Sequence, residues 1–318
     1  AFLKMRVGPV QFQEEIGRGG MGRVFKAKRI QGGFEQVVAI KFVKPDPWSK
    51  GLNASFQKER QILSRLQHSN IARIYDGGET EEGLPYILME YVEGVNVVDL
   101  AKEKALSLEE RIQLFLKIAE SIAFAHQNLV LHRDIKPSNI LMGSDHEPKL
   151  LDFGIAKLMD QFETGEAPTQ IQAFTPEYAT PEQLLGNPRY AGSEVYQLGL
   201  LLYEMLAERR AFDLHGMDML KKQRYILENV PPTPSSHMAK GKVKSRTKGE
   251  LDNIIMACLR KEPEKRYQEV GELIRDLKAF LRHEPVSFKT GDWNYRTRKF
   301  LQRNRLAVAL VSLSFFIL

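Results

Sequence analysis

The sequence predicts an α+β protein of two lobes, a small sheet-rich lobe followed by a larger and mostly helical one. A β-branched run at 37–43, within a stretch at 10–43 of strand character, places a sheet near the start of the chain. Helical patterns dominate after residue 94. The chain has 318 residues, a length that favours two packed units over one. We assign residues 10–92 to the small lobe and residues 93–284 to the large lobe.

The small lobe is expected to contain several strands and one main helix. Strands are predicted at 10–43, 71–82 and 86–92, where β-branched and aromatic residues cluster. Residues 52–66 follow the helical period, which places Glu59 on the apolar face of that helix. A carboxylate on such a face needs a partner, so Glu59 is a first candidate for a functional residue.

The large lobe is expected to be built from helices. Ser107 and Glu110 have the spacing of a capping box, which predicts a helix that begins there and continues towards Gln127. Apolar periodicity predicts three further helices, at 195–206, 251–259 and 270–281. The stretch 231–249 is rich in Pro, Ser, Lys and Gly, and we predict a mobile surface loop there.

The composition is that of an ordinary folded protein, with 43% hydrophobic and 27% charged residues. The single cysteine, Cys258, excludes an internal disulfide and is consistent with a reducing compartment. Cys258 lies within an apolar run at 254–259. Core packing is therefore its expected role.

The net charge of +6 is concentrated near the end of the chain. Between residues 286 and 305 a single acid, Asp292, is set against six basic residues: Lys289, Arg296, Arg298, Lys299, Arg303 and Arg305. A nucleic-acid-binding domain would carry its charge on the folded body. The distribution therefore excludes nucleic acid as an expected partner and favours a membrane surface. We interpret residues 285–305 as a basic juxtamembrane linker.

An uncharged apolar run at 306–318 follows this linker directly. It is shorter than the roughly 20 residues that span a bilayer, but it continues to the last residue of the sequence. We interpret it as the start of a truncated transmembrane helix, and the alternative is a terminal helix that packs on its own domain. Because positive charge precedes the run, the preceding domain is expected in the cytoplasm, anchored to the inner (plasma) membrane by one span.

The first motif with chemical meaning is glycine-rich and is followed by Val24; it comprises Gly17, Arg18, Gly19, Gly20, Met21 and Gly22. Glycines at this spacing let backbone amides approach phosphate oxygens closely. Dinucleotide-binding folds share the pattern but place a helix after it, whereas here a strand is predicted at 23–28. Lys41 follows about twenty residues on, the position of a strand lysine that pairs with nucleotide phosphates.

The second motif occupies residues 132–139, His-Arg-Asp-Ile-Lys-Pro-Ser-Asn, and Asp152 begins Asp-Phe-Gly thirteen residues after Asn139. Asp134 is a carboxylate suited to orient a hydroxyl, and Lys136 is suited to a phosphate. Asn139 and Asp152 are two oxygen ligands of the kind that Mg²⁺ prefers. Together these are the parts needed to move a γ-phosphoryl group.

With these motifs in this order, residues 10–284 resemble the eukaryotic-type protein kinase superfamily. The residues at 17–22 and 152–157 look most like those of bacterial membrane-anchored Ser/Thr kinases. The resemblance implies a two-lobed protein kinase fold, with a β-rich small lobe containing one main helix and ATP bound above a mostly helical large lobe. It also implies transfer of the ATP γ-phosphate to Ser or Thr of protein substrates, with Mg²⁺ as the metal and Mn²⁺ as an alternative.

The resemblance implies a role for each matching residue. Asp134 would orient the substrate hydroxyl and accept its proton, and Lys136 would steady the γ-phosphate. Glu59 would position Lys41, while the oxygens of the metal site would come from Asn139 and Asp152. The backbone of 90–92 would form the hinge for adenine, beside Met89. The expected nucleotide-binding positions are Gly17, Gly19, Gly20, Gly22, Val24, Ala39, Lys41, Glu90, Val92 and Leu141.

The activation loop, which the resemblance places at 152–182, carries the expected switch. Arg133, directly before Asp134, is a cation that a phosphorylated loop residue can neutralise. Thr175 resembles the substrate-pocket threonine that contacts the catalytic loop, the motif at 132–139. This leaves Thr164 and Thr169 as phosphosite candidates. We hypothesise autophosphorylation in trans, with the chain itself as a partner in a transient dimer.

A few positions depart from the pattern of the superfamily. Phe174 stands where glycine is commoner, and Thr180 stands where Ala or Ser usually precedes Pro-Glu. Glu182 is still expected to pair with Arg266. Glu194 replaces the aspartate that usually braces the catalytic loop, and its extra methylene is expected to shift that hydrogen bond.

Two other functions fit parts of the pattern. A pseudokinase that serves as an ATP-binding scaffold would usually lack Lys41, Asp134, Asn139 or Asp152, and all four are present. A small-molecule kinase of the same superfamily is disfavoured by the long activation loop. A protein kinase is therefore the expected function.

Overall fold

The computed structural model describes residues 7–19, 22–43, 66–153, 175–238 and 246–287. Several positions predicted from the sequence lie outside these residues. They are Gly20, Glu59 with the rest of its predicted helix up to residue 65, Thr164, Thr169, Phe174, most of the linker predicted at 285–305, and the apolar run at 306–318.

A five-stranded antiparallel sheet forms the small lobe. Its strands are β1 (Val10–Gly19), β2 (Gly22–Gln31), β3 (Phe34–Val43), β4 (Ile74–Glu79) and β5 (Pro85–Glu90). Their order across the sheet is β1-β2-β3-β5-β4. The strands predicted at 71–82 and 86–92 are present but shorter, and Pro85 begins β5, where the missing N–H of a proline is tolerated.

Alternation along the strands gives the sheet one apolar face. Phe25 on β2 and Ile40 and Phe42 on β3 are buried in the small-lobe core. Phe12 on β1 joins them, its ring centroid 5.8 Å from those of both Phe25 and Phe42. Because side chains alternate along a strand, Lys41 lies on the opposite face of the sheet from this aromatic cluster. The register of β3 thus decides which face carries the site.

Eight helices are described in the large lobe. They are α1 (Val97–Glu103), α2 (Leu108–Gln127), α3 (Pro181–Leu184), α4 (Ala191–Ala207), α5 (Met219–Glu228), α6 (Pro234–His237), α7 (Glu250–Cys258) and α8 (Val270–Leu281). The predicted capping box begins α2: Glu110 N donates to Ser107 Oγ and Ser107 N donates to Glu110 Oε2. The predicted helices over 195–206, 251–259 and 270–281 are confirmed to within a few residues.

Helix α4 is the centre of the large lobe. Nearly all of its residues are buried, and it packs against α2, α7 and α8. An ideal Cβ at Gly199 would lie 2.5 Å from Cys258 Cβ on α7, so only glycine allows the two helices to approach this closely. Cys258 is buried in that contact, as predicted, and burial raises the pKa of its thiol. Its role is packing.

A second, three-stranded sheet lies where the lobes meet, and the sequence patterns did not predict it. Its strands are β6 (Val95–Asn96), β7 (Ile140–Met142) and β8 (Pro148–Leu150). Ala72 N donates to Leu150 O at 2.9 Å, and Leu150 N donates to Asn70 O at 2.8 Å. These bonds tie the chain that leads into β4 to the large lobe.

The prediction of a mobile surface loop over 231–249 is wrong for part of that stretch. Residues 234–237 form α6, and Ser235 is buried. Ser235 Oγ donates to Asp252 Oδ2 on α7 at 2.6 Å, and Ser235 N donates to Asp252 Oδ1 at 3.0 Å. Proline and serine are frequent in turns, but here Pro234 begins a short helix and Ser235 anchors it. Residues 239–245 lie outside the described residues.

The large lobe continues through Ser287. Val286 is fully buried, and Ser287 Oγ donates to Asp276 Oδ2 on α8 at 2.6 Å. The packed region thus extends three residues beyond the predicted boundary at 284. Within the described ranges, none of the helices combines the length and apolar character that crossing a bilayer requires.

Candidate active site

The described residues of the glycine-rich motif lie at the end of β1 and the start of β2, the strand that pairs with β3. Gly17 pairs with Val24 in the register of the sheet, and Val24 pairs with Lys41. Gly19 ends β1 and Gly22 begins β2. Gly22 has a φ of 142°, a conformation that glycine adopts readily and other residues rarely do. The register therefore aligns Gly17, Val24 and Lys41 across three successive strands.

Two arginines hold Glu15 on this hairpin. Arg18 Nε donates to Glu15 Oε1 at 2.8 Å and Arg23 Nε donates to the same oxygen at 3.1 Å. Hydrogen bonds from Arg23 and then Arg18 lower the pKa of Glu15 to about 2. The carboxylate is therefore charged at neutral pH and links the ends of β1 and β2.

Lys41 is buried and reaches across to the large lobe. Its Nζ donates to Asp152 Oδ2 at 2.7 Å. Asp152 has a φ of 62°, a left-handed conformation that costs free energy in a non-glycine residue and is commonly found at functional sites. The sequence predicted Glu59 as the partner of Lys41, and Glu59 lies outside the described residues. The structure thus joins the predicted phosphate lysine to a predicted metal ligand.

Asp134 lies at the centre of the second group. Its Oδ2 is 2.7 Å from Lys136 Nζ and accepts a hydrogen bond from Asn139 Nδ2 at 2.9 Å. Lys136 Nζ also donates to Thr175 Oγ1 at 3.4 Å. The residues proposed to bind acceptor, phosphate and metal are therefore in direct contact with one another.

The oxygen atoms of this region suit a magnesium ion. Asn139 Nδ2 donates to Asp134, which leaves the amide oxygen for a cation, and Asp152 uses only Oδ2 for Lys41 among the described residues. Mg²⁺ is commonly held by one or two protein oxygens and completes its shell with phosphates and water. The described residues contain no cluster of three or more His, Cys, Asp or Glu that could hold a metal alone. The residues present therefore fit Mg²⁺ bound together with a nucleotide.

The catalytic loop is braced by Glu194 on α4. Glu194 Oε1 accepts a hydrogen bond from Arg133 N at 2.6 Å, and Oε2 lies 2.7 Å from His126 Nε2. Arg133 has a φ of 70°, so its backbone is in a costly conformation that needs support. The bond expected to shift because of the extra methylene is made, since the longer side chain reaches both partners.

Sequence reasoning missed two residues that support the same loop. Gln197 Oε1 accepts from Ile135 N at 3.4 Å, and its Nε2 donates to Tyr178 O at 3.3 Å. Arg189 Nη1 donates to Arg133 O at 3.0 Å. The available signal was Gln197 itself, a polar residue one helical turn after Glu194 in a helix predicted to be buried.

The segment that follows Thr175 is fastened to the large lobe. Tyr178 Oη donates to Glu204 Oε2 at 2.5 Å. The predicted pair of Glu182 and Arg266 is confirmed: Arg266 Nη1 lies 2.6 Å from Glu182 Oε1 and Nη2 lies 3.3 Å from Oε2. Both residues are buried. These contacts hold the segment to the large lobe, in addition to the link from Tyr178 to the catalytic loop through Gln197.

The predicted adenine-side positions border the junction between the lobes. Val24 lies on β2, Ala39 on β3 and Leu141 on β7, while Glu90 ends β5 and Val92 follows two residues later. Met89 is buried on β5. Glu90 Oε1 lies 2.9 Å from Lys149 Nζ on β8. This ion pair links the end of the small-lobe sheet to the large lobe.

His132 supports the loop from within the core. It is fully buried, and its ring centroid lies 4.5 Å from that of Phe153. Burial lowers the pKa of His132, against the opposing effect of the charges on Glu194, Asp134 and Asp152. The imidazole is therefore neutral in the folded protein at neutral pH.

The described residues bring together the strand lysine Lys41 with Asp152, and Asp134 with Asn139. A strand lysine, a catalytic aspartate with its asparagine, and the aspartate of Asp-Phe-Gly are parts that protein kinases share. The sequence profile of the protein kinase domain matches residues 10–279. The chain belongs to this family, which confirms the predicted superfamily and fold class.

Similar proteins come from several bacteria. The serine/threonine-protein kinase PknB of Mycobacterium tuberculosis is 33% identical over 282 residues, covering 86% of this chain and 43% of that protein. A probable serine/threonine-protein kinase of Streptomyces coelicolor is 32% identical over 290 residues, covering 89% of this chain and 41% of that protein. The chain thus spans less than half the length of these relatives.

Solved structures agree on the fold. The crystal structure of the Mycobacterium tuberculosis PknI kinase domain superposes with a TM-score of 0.63 at 22% identity, covering 86% of this chain and 96% of that one. At this identity the likeness shows the fold alone. It supports the two lobes described above.

Proposed function

We propose that this chain is an ATP-dependent serine/threonine protein kinase. The observation that carries the proposal is the contact of Asp134 Oδ2 with Lys136 and Asn139, while Thr175 contacts the same lysine. A carboxylate in this setting can orient a hydroxyl, and the adjacent ammonium can neutralise charge on the phosphoryl group being transferred.

The proposed reaction needs little covalent help from the protein. A substrate hydroxyl oxygen bonds to the γ-phosphorus of ATP, the bond from that phosphorus to the β–γ bridging oxygen breaks, and ADP leaves. Asp134 accepts the hydroxyl proton. Lys41 and the backbone of the glycine-rich turn hold the phosphates in line, so that most of the rate enhancement comes from positioning.

Asn139 and Asp152 would hold Mg²⁺, with Mn²⁺ as the alternative. The ion would supply charge neutralisation between the phosphates. Lys41 contacts Asp152 directly, so the lysine of the small lobe and the proposed metal-binding carboxylate of the large lobe meet in the cleft. Nucleotide binding would then divide the Lys41 ammonium between Asp152 and phosphate oxygens.

Autophosphorylation in trans and membrane attachment form the finer part of the proposal. Arg133 beside Asp134 provides a cation for a phosphorylated Thr164 or Thr169. The basic residues before the apolar run at 306–318 support anchoring of a cytoplasmic kinase domain. Protein substrates with Ser or Thr acceptors, and a second copy of the chain, are the proposed partners.

The activity is tested by incubation with labelled ATP, Mg²⁺ and a generic protein substrate. We expect transfer of label to Ser or Thr by the wild type and loss of about 10²-fold or more in Asp134→Asn, because the hydroxyl would lose its base. Asp145→Asn, at an exposed turn aspartate, is the matched control and is expected to keep wild-type activity. ATP binding without transfer by the wild type would instead favour a scaffold.

Autophosphorylation is tested by mixing active chain with Asp134→Asn as substrate. We expect label on the inactive chain at Thr164 or Thr169, identified by mass spectrometry. A double variant, Thr164→Ala with Thr169→Ala, should fail to gain activity on preincubation with ATP. Full activation of that double variant would contradict this part of the proposal.

A further inference from the structure

A cavity of about 800 Å³ opens beside the segment that follows Thr175. The stretch 209–216, between α4 and α5, forms much of its lining, and Glu177 and Lys222 also border it. Glu177 is two residues after Thr175, which places its backbone within about 7 Å of that threonine. Since Thr175 contacts Lys136, the cavity begins next to the proposed acceptor site.

Three carboxylates near this cavity already have partners. Glu177 Oε1 lies 3.1 Å from Arg210 Nη1, and Glu204 accepts a hydrogen bond from Tyr178 Oη. Glu208, which follows α4, lies 2.7 Å from Arg111 Nη2. These acids are therefore poorly placed to attract a basic substrate.

The cations of the cavity are not all balanced in this way. Arg209 and Lys222 line it, and neither forms an ion pair with a carboxylate within the described ranges. Asp213, the remaining acid of the lining, accepts a hydrogen bond from the backbone N of His215 at 3.2 Å. With Arg210, the lining has three basic side chains, Arg209, Arg210 and Lys222, against two acidic ones, Glu177 and Asp213.

We infer that this cavity binds an anionic side chain of the protein substrate, a carboxylate or a phosphoryl group, near the residue that is phosphorylated. Arg209 and Lys222 are the groups that recognise it, since guanidinium and ammonium groups are the usual partners of such anions. The inference rests on the proposed kinase activity. Such a cavity makes the chain select acidic or previously phosphorylated substrate sequences over basic ones.

Glu177 adjusts the strength of this recognition. Its side chain is more buried than that of Arg210, 16% against 53% exposed, so the carboxylate stays in place while the guanidinium can turn towards a ligand. Removal of the Glu177 charge would add Arg210 to the available cations. Selectivity for anions is then expected to increase.

The test uses a neutral peptide with one serine acceptor, flanked by alanines, and a set in which one glutamate or phosphoserine is moved through each flanking position. The measured quantity is kcat/KM relative to that of the neutral peptide. We expect a gain of about fivefold for glutamate at one or two positions, the order of two partly exposed ion pairs. Phosphoserine should gain more, because of its larger charge, and both gains should fall with added salt.

Charge reversal assigns the gain to the cavity. In Arg209→Glu with Lys222→Glu the ratio for the best acidic peptide is expected to fall to one or below. Lys221→Glu is the matched control: Lys221 is adjacent in sequence, exposed, and pairs with Asp218 outside the lining. A ratio does not depend on the fraction of active enzyme, so partial misfolding of a variant cannot imitate the result.

Each outcome decides the inference. The inference is overturned if kcat/KM for the acidic peptides equals that for the neutral peptide at every position. It is also overturned if the acidic preference persists in Arg209→Glu with Lys222→Glu. Selection of phosphoserine alone supports it with a phosphoryl ligand, and selection of both supports it for either anion. Failure to phosphorylate any peptide or protein contradicts the proposed function instead, whereas phosphorylation of the neutral peptide without acidic preference contradicts only the inference.

Discussion

Glu194 holds the ring of His126 with one carboxylate oxygen and the backbone N of Arg133 with the other, at 2.7 and 2.6 Å. Both contacts are made from a side chain that is almost fully buried in α4. A longer acid at this position therefore joins three elements: the centre of the large lobe, the end of α2 and the catalytic loop. The left-handed backbone of Arg133 is stabilised by this contact.

Shortening this residue tests the brace. In Glu194→Asp the carboxylate is withdrawn by one methylene and cannot reach both partners, so one buried hydrogen-bonding group is left unsatisfied. We expect the free energy of unfolding to fall by about 1–3 kcal/mol, measured by urea denaturation, together with a lower kcat. Glu228→Asp, at the exposed end of α5, is the control. Equal stability of Glu194→Asp and wild type would show that the loop needs no such brace.

Lys41 is expected to be required for catalysis. Lys41→Met removes the ammonium that contacts Asp152, and loss of a preorganised charge of this kind costs about 10²-fold or more in rate. Initial rates of phosphoryl transfer measure it, with circular dichroism to verify folding. Lys28→Met, which breaks an exposed pair with Glu35 on the same sheet, should change the rate less than twofold. Comparable losses in the two variants would point to damage to the sheet.

Loss of one partner of the buried pair of Arg266 and Glu182 is expected to destabilise the large lobe strongly. Arg266→Met leaves Glu182 buried without its cation, which costs about 3–5 kcal/mol. Arg275→Met breaks an exposed pair with Glu272 at 3.9 Å and should cost less than about 0.5 kcal/mol. Thermal and urea unfolding of both variants measure the contrast. Similar small losses in both would mean that the Tyr190 and Ser193 hydroxyls near Glu182 are sufficient partners.

Stability is expected to depend on pH through His132. Burial lowers its pKa below the ordinary 6.5 in the folded state, so between the two values the unfolded chain binds more protons. Stability is then fully present above about pH 6.5 and is lost as the pH falls below it, by up to about 1.4 kcal/mol per pH unit. His132→Phe should reduce this slope by one proton, as measured by urea denaturation between pH 5 and 7.5. An unchanged slope would show that the histidine takes up no proton on unfolding.

Much of the fold followed from local patterns. The period of apolar residues located α2, α4, α7 and α8, because a helix that buries one face must repeat its apolar side chains every three or four residues. The helices α1 and α5 were missed, although Asn96 and Asp218 cap them. Helix α1 has only seven residues, and α5 buries only Ile226, so neither repeats enough apolar residues on one face. The sheet at the lobe junction was missed because strands of two or three residues have no readable alternation.

The sequence alone determines which chemical groups the site contains. The spacing of the motifs around Asp134 and Asp152 predicts a base, a lysine for phosphate and two metal ligands. Tertiary structure decided which of these groups touch. It paired Lys41 with Asp152, placed Gln197 between the catalytic loop and Tyr178, and collected unbalanced cations beside Thr175. The reason is physical, since spacing along a chain constrains only near neighbours, whereas contacts across more than a hundred residues depend on how whole helices and sheets pack.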